Sequence, residues 1–284
     1  MKMILFAVAV VLASCATAPA RSASVPSTNG SAPNSPPAVS AQRETTYQEA
    51  LPISIKSFYP NDDPSGTQTI RYNPQGLLVL QETFNGNGVL IESRTGKAKA
   101  ELWRITVTNA QNGEIASFED RKLGSRGELL VQTFLNSKEI PQAANEFTYD
   151  AQGHRTLWLA KTGVGDLQAR TVYTYDKRGN NTKTQVYDAG GSLTNVFQST
   201  YDEQSQIVSR QGFDASGTLA EQTNFTWKDG RKVKEETTKP LLRTIEYSYD
   251  DKSAPSGIVS SVRGKVVERQ ILDYQWFTKT KIAP

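Results

Sequence analysis

The chain holds a single cysteine, Cys15, and a single histidine, His154, among 284 residues. One cysteine makes no internal disulfide, and one histidine beside it cannot complete a Cys/His metal set, so only carboxylates are left as candidate ligands. No EF-hand or RTX pattern supports even those, and neither a metal nor a cofactor is expected. A Ser-His-Asp triad would have to use His154, yet there is no G-x-S-x-G elbow, and His154 falls in a polar position after the turn glycine Gly153. No catalytic residue is expected, and the reading is of a non-enzyme. Charge excess is also missing: the formal net charge of +3 falls to +2 without Lys2, too little for a nucleic-acid partner. No stretch of ten or more residues keeps helical spacing unbroken. The longest apolar run, residues 3–13, is about half the 20 or so residues a membrane-spanning helix needs.

That run has another use. Lys2, an apolar core and the small residues of LASC form a secretory signal over residues 1–14. The ending resembles the lipobox of bacterial lipoproteins, which implies that Cys15 carries lipid. Ala16 is not the aspartate that, by the same resemblance, would hold such a protein at the inner membrane, so the outer membrane is expected, with the folded part outside the cytoplasm. Residues 15–46 are rich in Ala, Ser, Thr and Pro and carry no aromatic residue, so they cannot build a core and read as a disordered tether.

From residue 47 to 284 the pattern is strand and turn. Tyr149, Tyr175, Tyr201 and Trp227 lie 26 residues apart, and Tyr187 and Phe213 divide two of the intervals into 12 and 14. Glycines 153, 179, 191 and 217 each follow four residues after an aromatic, in YDAQG, YDKRG, YDAGG and FDASG. Such steps fit one strand of about eight residues and a turn of about four. Asp opens the turn by bonding the backbone ahead of it, and Gly takes the positive φ that ends it. Even steps should keep the aromatics on one face. Degenerate units are expected near Gly96, Asn136 and Gly163, a loop around Pro255, and a last hairpin at Gly264 whose strands close or protect the sheet edge. The expected fold is all-β: an antiparallel meander of repeated hairpins in a curved sheet, as one domain. A transmembrane barrel is disfavoured, because both strand faces carry Gln, Thr, Lys and Asp.

FTYDAQGHRT, YTYDKRGNNT, VYDAGGSLT and GFDASGTL resemble the YD or RHS repeat, while YNPQGLLVLQETFNGNGVL and WKDGRKVKEE are similar to MORN-like YwqK antitoxin repeats. The first resemblance implies the β-spiral of large RHS proteins and, as for some YD proteins, carbohydrate binding. Here the units are too few for a shell around a toxin. The second implies an immunity role.

The candidate binding residues are Tyr149, Tyr175, Tyr201 and Trp227, two strands apart and so about 10 Å from one another along one sheet edge. Rings in such a ladder pack over turns and each other, or they form a platform for envelope sugars or a protein partner. The turn aspartates, Asp150, Asp176, Asp188, Asp202 and Asp214, are satisfied locally without needing calcium. The leading expectation is a lipid-anchored envelope protein that binds or scaffolds. An immunity-type lipoprotein and a hydrolase on a β scaffold are the alternatives.

Overall fold

The computed structural model describes residues 44–282, with side chains for residues 47–278. Cys15, the signal and nearly all of the tether lie outside the described residues. There are eighteen strands and, among the described residues, no helix. The first nine are β1 (Glu44–Phe58), β2 (Pro64–Tyr72), β3 (Leu78–Asn85), β4 (Leu90–Lys99), β5 (Leu102–Asn109), β6 (Ile115–Leu123), β7 (Leu129–Asn136), β8 (Pro141–Tyr149) and β9 (Arg155–Thr162). The rest are β10 (Leu167–Tyr175), β11 (Asn181–Asp188), β12 (Leu193–Tyr201), β13 (Ile207–Asp214), β14 (Leu219–Lys228), β15 (Arg231–Lys239), β16 (Arg243–Tyr249), β17 (Pro255–Val262) and β18 (Lys265–Ile282).

Each strand pairs antiparallel with the next, as the meander requires, and β18 then pairs with β1 from Phe58↔Arg269 back to Glu44↔Ile282. The sheet therefore closes into a barrel without a free edge, which settles whether the curved sheet expected from the sequence is open, sandwiched or closed. Closure satisfies the backbone groups that two edge strands would otherwise leave open. At one rim β1 and β18 run on past their neighbours as a two-stranded arm; we call this the arm rim and the opposite end the far rim. Phe277 in the arm packs edge to face on Tyr72, ring centres 5.7 Å apart.

The turns work as their composition demands. In one of them Asp150 N–H donates to the His154 carbonyl at 2.9 Å, Gly153 N–H donates to the Asp150 carbonyl at 3.1 Å, and the Asp150 carboxylate accepts from His154 N–H at 2.7 Å. Asn85, Asn136, Asp176, Asp188, Asp202, Asp214 and Asp250 open turns of the same plan. Gly153, Gly179, Gly191 and Gly217 all have φ between +82° and +87°, while Glu139, Ser205 and Ser253 occupy the same seat elsewhere. Ser253 explains why the register reads as lost around Pro255: the turn is intact, and Pro255 opens β17 in register with Tyr249. Gly96 is not a turn at all but the middle of β4, and the bend there falls at Ala100, φ +52°.

These turns also overrule the even-step expectation. Most carry one extra residue in a flanking strand, as where Thr174↔Lys183 is followed by Tyr175↔Asn181. The bulge shifts the alternation by one. Tyr173 and Tyr175 thus share one face with Thr184, while Tyr187 sits opposite Arg170 on the other face, its ring 4.3 Å under that guanidinium. Phe213, paired with Leu219 and Val196, follows Tyr187.

Followed around the ring, the pairing sorts the strand residues into two consistent sets. One holds Ile70, Ile105, Thr171, Thr223, Ser260 and Leu272, all buried, together with the aromatics of the 26-residue ladder. The other holds exposed Lys56, Thr69, Lys97, Lys122, Thr148, Thr174, Gln198 and Glu246. The shielded set lines the concave inner wall and the polar set the outer wall. Arg104, Phe118 and Leu135 are buried on the outer wall because the β7–β8 turn folds back over them. Arg104 pairs with Asp120 through two 2.6 Å bonds and with Glu139 of that turn at 2.8 Å, lying 4.7 Å over the Phe118 ring.

Eighteen strands at about 4.8 Å spacing and about 40° tilt give a backbone diameter of about 35 Å. Buried apolar side chains number only seven among the described residues, too few to fill that space. Substantial contacts join only ring neighbours. The barrel encloses an open lumen. Neither wall has the continuous apolar band a lipid-facing barrel needs, since the inner wall also carries Glu92, Arg94, Glu119, Arg121 and Arg210.

Candidate functional site

All four ladder aromatics stand on the inner wall at the arm rim, partly shielded. Each sends its polar tip to a backbone carbonyl 20 residues earlier. Tyr149, Tyr175 and Tyr201 hydroxyls donate to Leu129, Arg155 and Asn181 carbonyls at 2.9, 2.8 and 2.9 Å, and Trp227 Nε1–H donates to Ile207 at 2.7 Å. The acceptors open β7, β9, β11 and β13, two residues past the positive-φ residue of the preceding turn. Tyr72 repeats the bond to Pro52 at 3.1 Å, where the acceptor belongs to the seam strand β1. Burial and then Glu49 push the Tyr72 phenol up to about 12, and burial raises those of Tyr175 and Tyr201.

The ladder is only partly open to a ligand. His154 stacks on Tyr175 with centres 4.8 Å apart, and Arg155 lies over Phe147 at 4.5 Å and Tyr149 at 6.0 Å. Among the described residues no ring or guanidinium stacks on Tyr201 or Trp227. His154 Nδ1 is 3.0 Å from Asp150 Oδ2, a turn contact that holds the ring over Tyr175. No serine, threonine or cysteine hydrogen-bonds that ring among the described residues. The same residues contain no group of three His, Cys, Asp or Glu that could hold a metal.

Lower on the same wall is a feature the sequence reading missed. Arg121 and Gln132 both donate to Glu119 at 2.6 and 2.7 Å, Asn145 donates to Gln132 at 3.1 Å, and Trp158 Nε1–H donates to Asn145 at 2.9 Å. The ladder Glu119, Gln132, Asn145 and Trp158 climbs from β6 to β9 in steps of 13, half the repeat, and that spacing was there to be read. Farther round, Lys232 and the Tyr247 hydroxyl both bond Glu235, with Lys232 Nζ 4.9 Å from the Tyr247 ring centre and 5.8 Å from that of Phe225. Burial first, and the Glu235 carboxylate next, push the Tyr247 phenol far above its ordinary range. The wall thus alternates ring faces with carboxylate, amide and guanidinium groups. Such a surface can stack on a flat apolar face while bonding the polar edge of the same molecule.

No family model and no curated protein matches the chain. Among solved structures, it is similar to a porin-like protein from Bacteroides uniformis at 13% identity and TM-score 0.44, covering 78% of this chain and 96% of that one. A porin-like protein from Bacteroides vulgatus follows at 9% identity and TM-score 0.38, covering 79% and 98%. A TcdB2-TccC3-TEV structure is similar at 10% identity and TM-score 0.21 over 74% of this chain, but only 16% of that one.

Proposed function

We propose that this chain is a lipid-anchored protein of the cell envelope, held through Cys15 at the outer membrane, whose hollow barrel binds a saccharide on its inner wall without chemical turnover. The observation that carries the reading is the inner wall, where aromatic rings and hydrogen-bonding side chains interleave around a lumen that the protein's own side chains leave open. A sugar ring offers an apolar face and a polar edge, which this lining complements. The polar outer wall suits a body standing in water on a lipid tether rather than one spanning the bilayer.

Binding is tested with immobilised envelope polysaccharide, comparing wild type with Gln132→Ala and Asn145→Ala, which interrupt the inner ladder, and Thr148→Ala on the outer wall. Loss of retention in the first two alone is expected. Equal retention of all three, at unchanged melting temperature, contradicts the inner-wall site. The anchor is tested by fatty-acid labelling, which should disappear in Cys15→Ala.

A further inference from the structure

The two rims of the barrel are chemically unlike. At the arm rim the turns present Arg126, Gln152, Lys177, Glu203 and Asp251, all exposed and polar. At the far rim, turn after turn ends in an exposed apolar side chain: Tyr59 at 55% exposure, Val89 at 49%, Ile115 at 43%, Ile140 at 54%, Val164 at 87% and Leu242 at 42%. Six of the nine far-rim turns are marked in this way. On the arm-rim side the comparable residues are Val79 and Val208, near strand starts and each below 40%, and Tyr47 at 40% in the arm, none of them at a turn tip. Val164 stands between Gly163 and Gly165 at the tip of the β9–β10 turn and is the most exposed large apolar residue described.

We propose that the far rim is a lipid-contacting surface, which seats the barrel on the bilayer with its turn tips in the headgroup and upper acyl region. Neighbouring turns on one rim are two strands apart, about 10 Å. Their apolar tips are separated by polar turn residues such as Asn87, Ser137 and Lys138, and so form no contiguous patch. A protein partner or a second copy would need a continuous, desolvated centre to its interface. A bilayer needs only separate apolar side chains at one level, each dissolving on its own. Charges of both signs, such as Lys138 and Arg263 beside Glu114 and Asp166, flank the tips, so the contact requires no anionic lipid.

This inference rests on the anchored reading for its location, and the geometry permits both. The tether joins β1 at the arm rim, but residues 16–43 extend to about 90 Å when stretched, while strands of eight or nine residues tilted by about 40° make a wall only about 20 to 25 Å high. The chain can therefore pass down the outer wall and place its lipid beside the far rim. Seated this way, the barrel turns the laced aromatics of the arm rim away from the membrane, toward ligand.

The test uses the full mature chain in phosphatidylcholine vesicles, labelled with an environment-sensitive dye at Val164→Cys, at Ile140→Cys, or at Lys177→Cys on the arm rim. The expected result is a blue shift and quenching by a lipid-borne quencher at positions 164 and 140, with neither at 177. Water-like emission at 164 and 140, or an equal response at all three positions, overturns the proposal. The mass of the purified chain reports acylation independently, and where it shows Cys15 free, that thiol is replaced by serine so that the dye sits only at the introduced cysteine. An acylated chain with an aqueous far rim keeps the anchor and loses the rim contact, whereas an unacylated chain with position 164 in lipid does the reverse.

Discussion

The Tyr175 hydroxyl donates to the carbonyl of Arg155 at 2.8 Å, joining the last residue of β10 to the first of β9. These strands are already connected by a turn at the far rim, so the bond laces shut the open end of their hairpin. Tyr149, Tyr201 and Trp227 do the same for β7–β8, β11–β12 and β13–β14. Arginines then tie one laced unit to the next: Arg126 donates to the Ala151 carbonyl at 3.1 Å and Arg178 to that of Glu203 at 2.9 Å. The 26-residue spacing is thus the length of one hairpin closed at both ends.

Removing only the lace, as in Tyr175→Phe, should cost about 1 kcal/mol, the usual net worth of such a bond. Tyr175→Ala with Tyr201→Ala also removes two half-buried rings and should cost several kcal/mol, below the roughly 3 to 5 each of fully buried aromatics. Urea denaturation measures both. A double alanine variant as stable as wild type would show that the rings are held in place by their neighbours without supporting them.

Two glycines should respond for different reasons. Gly191 has φ +85° and open space around a would-be Cβ, so Gly191→Val carries only backbone strain, about 1 to 2 kcal/mol. At Gly96 a Cβ would sit 1.8 Å from the Leu78 carbonyl oxygen, beneath the Trp103 indole that donates to that oxygen at 3.0 Å. Gly96→Ala should therefore destabilise more than Gly191→Val, although Ala is the smaller side chain. Thermal melts showing the opposite order would contradict this packing.

The 26-residue spacing made the hairpins, their turns and the common face of Tyr149, Tyr175, Tyr201 and Trp227 readable in the sequence, because each depends on residues near in the chain. The inward or outward direction of Tyr187 and Phe213 was not readable from their even steps, since a single bulge residue reverses a face without altering the count. The choice between an open and a closed sheet could not be made for another reason: Phe58 and Arg269 are partners only after sixteen intervening strands have brought them round, and neither sequence marks the other. The inner polar ladder had a signal, the 13-residue step from Glu119 to Trp158, masked by the louder aromatic one.

Acid should weaken the turns. Hydrogen bonds from Asn180 hold the Asp176 carboxyl below its usual 3.8, the Ser216 hydroxyl and Thr218 N–H do so for Asp214, and Arg104 and Lys99 lower Glu139. A carboxyl depressed by folding contributes stability above the unfolded value, and that stability is lost as pH falls through the lower folded value. Melting temperature should therefore hold steady from neutral pH to about 5 and drop below about 4. Asn73, Asn85 and Asn136 serve equivalent turns without titrating. The double variant Asp176→Asn with Asp214→Asn should keep its neutral melting temperature and lose part of the acid drop. An unchanged drop in that variant would remove these turns from the explanation.

Closure of the sheet is the claim on which the lumen, the two walls and the two rims all depend, and the seam between β1 and β18 tests it most directly. Lys56 and Ile271 are in-register partners there, both exposed on the outer wall. The chain carrying Lys56→Cys and Ile271→Cys, with Cys15 as its only other cysteine, should form an intramolecular disulfide under mild oxidation and migrate as a monomer of altered mobility. A control pair on well-separated strands, Lys56→Cys and Thr148→Cys, should not. Efficient bridging confined to the seam pair is the predicted result; free thiols at the seam, or bridging only between molecules, would mean that the ring is open.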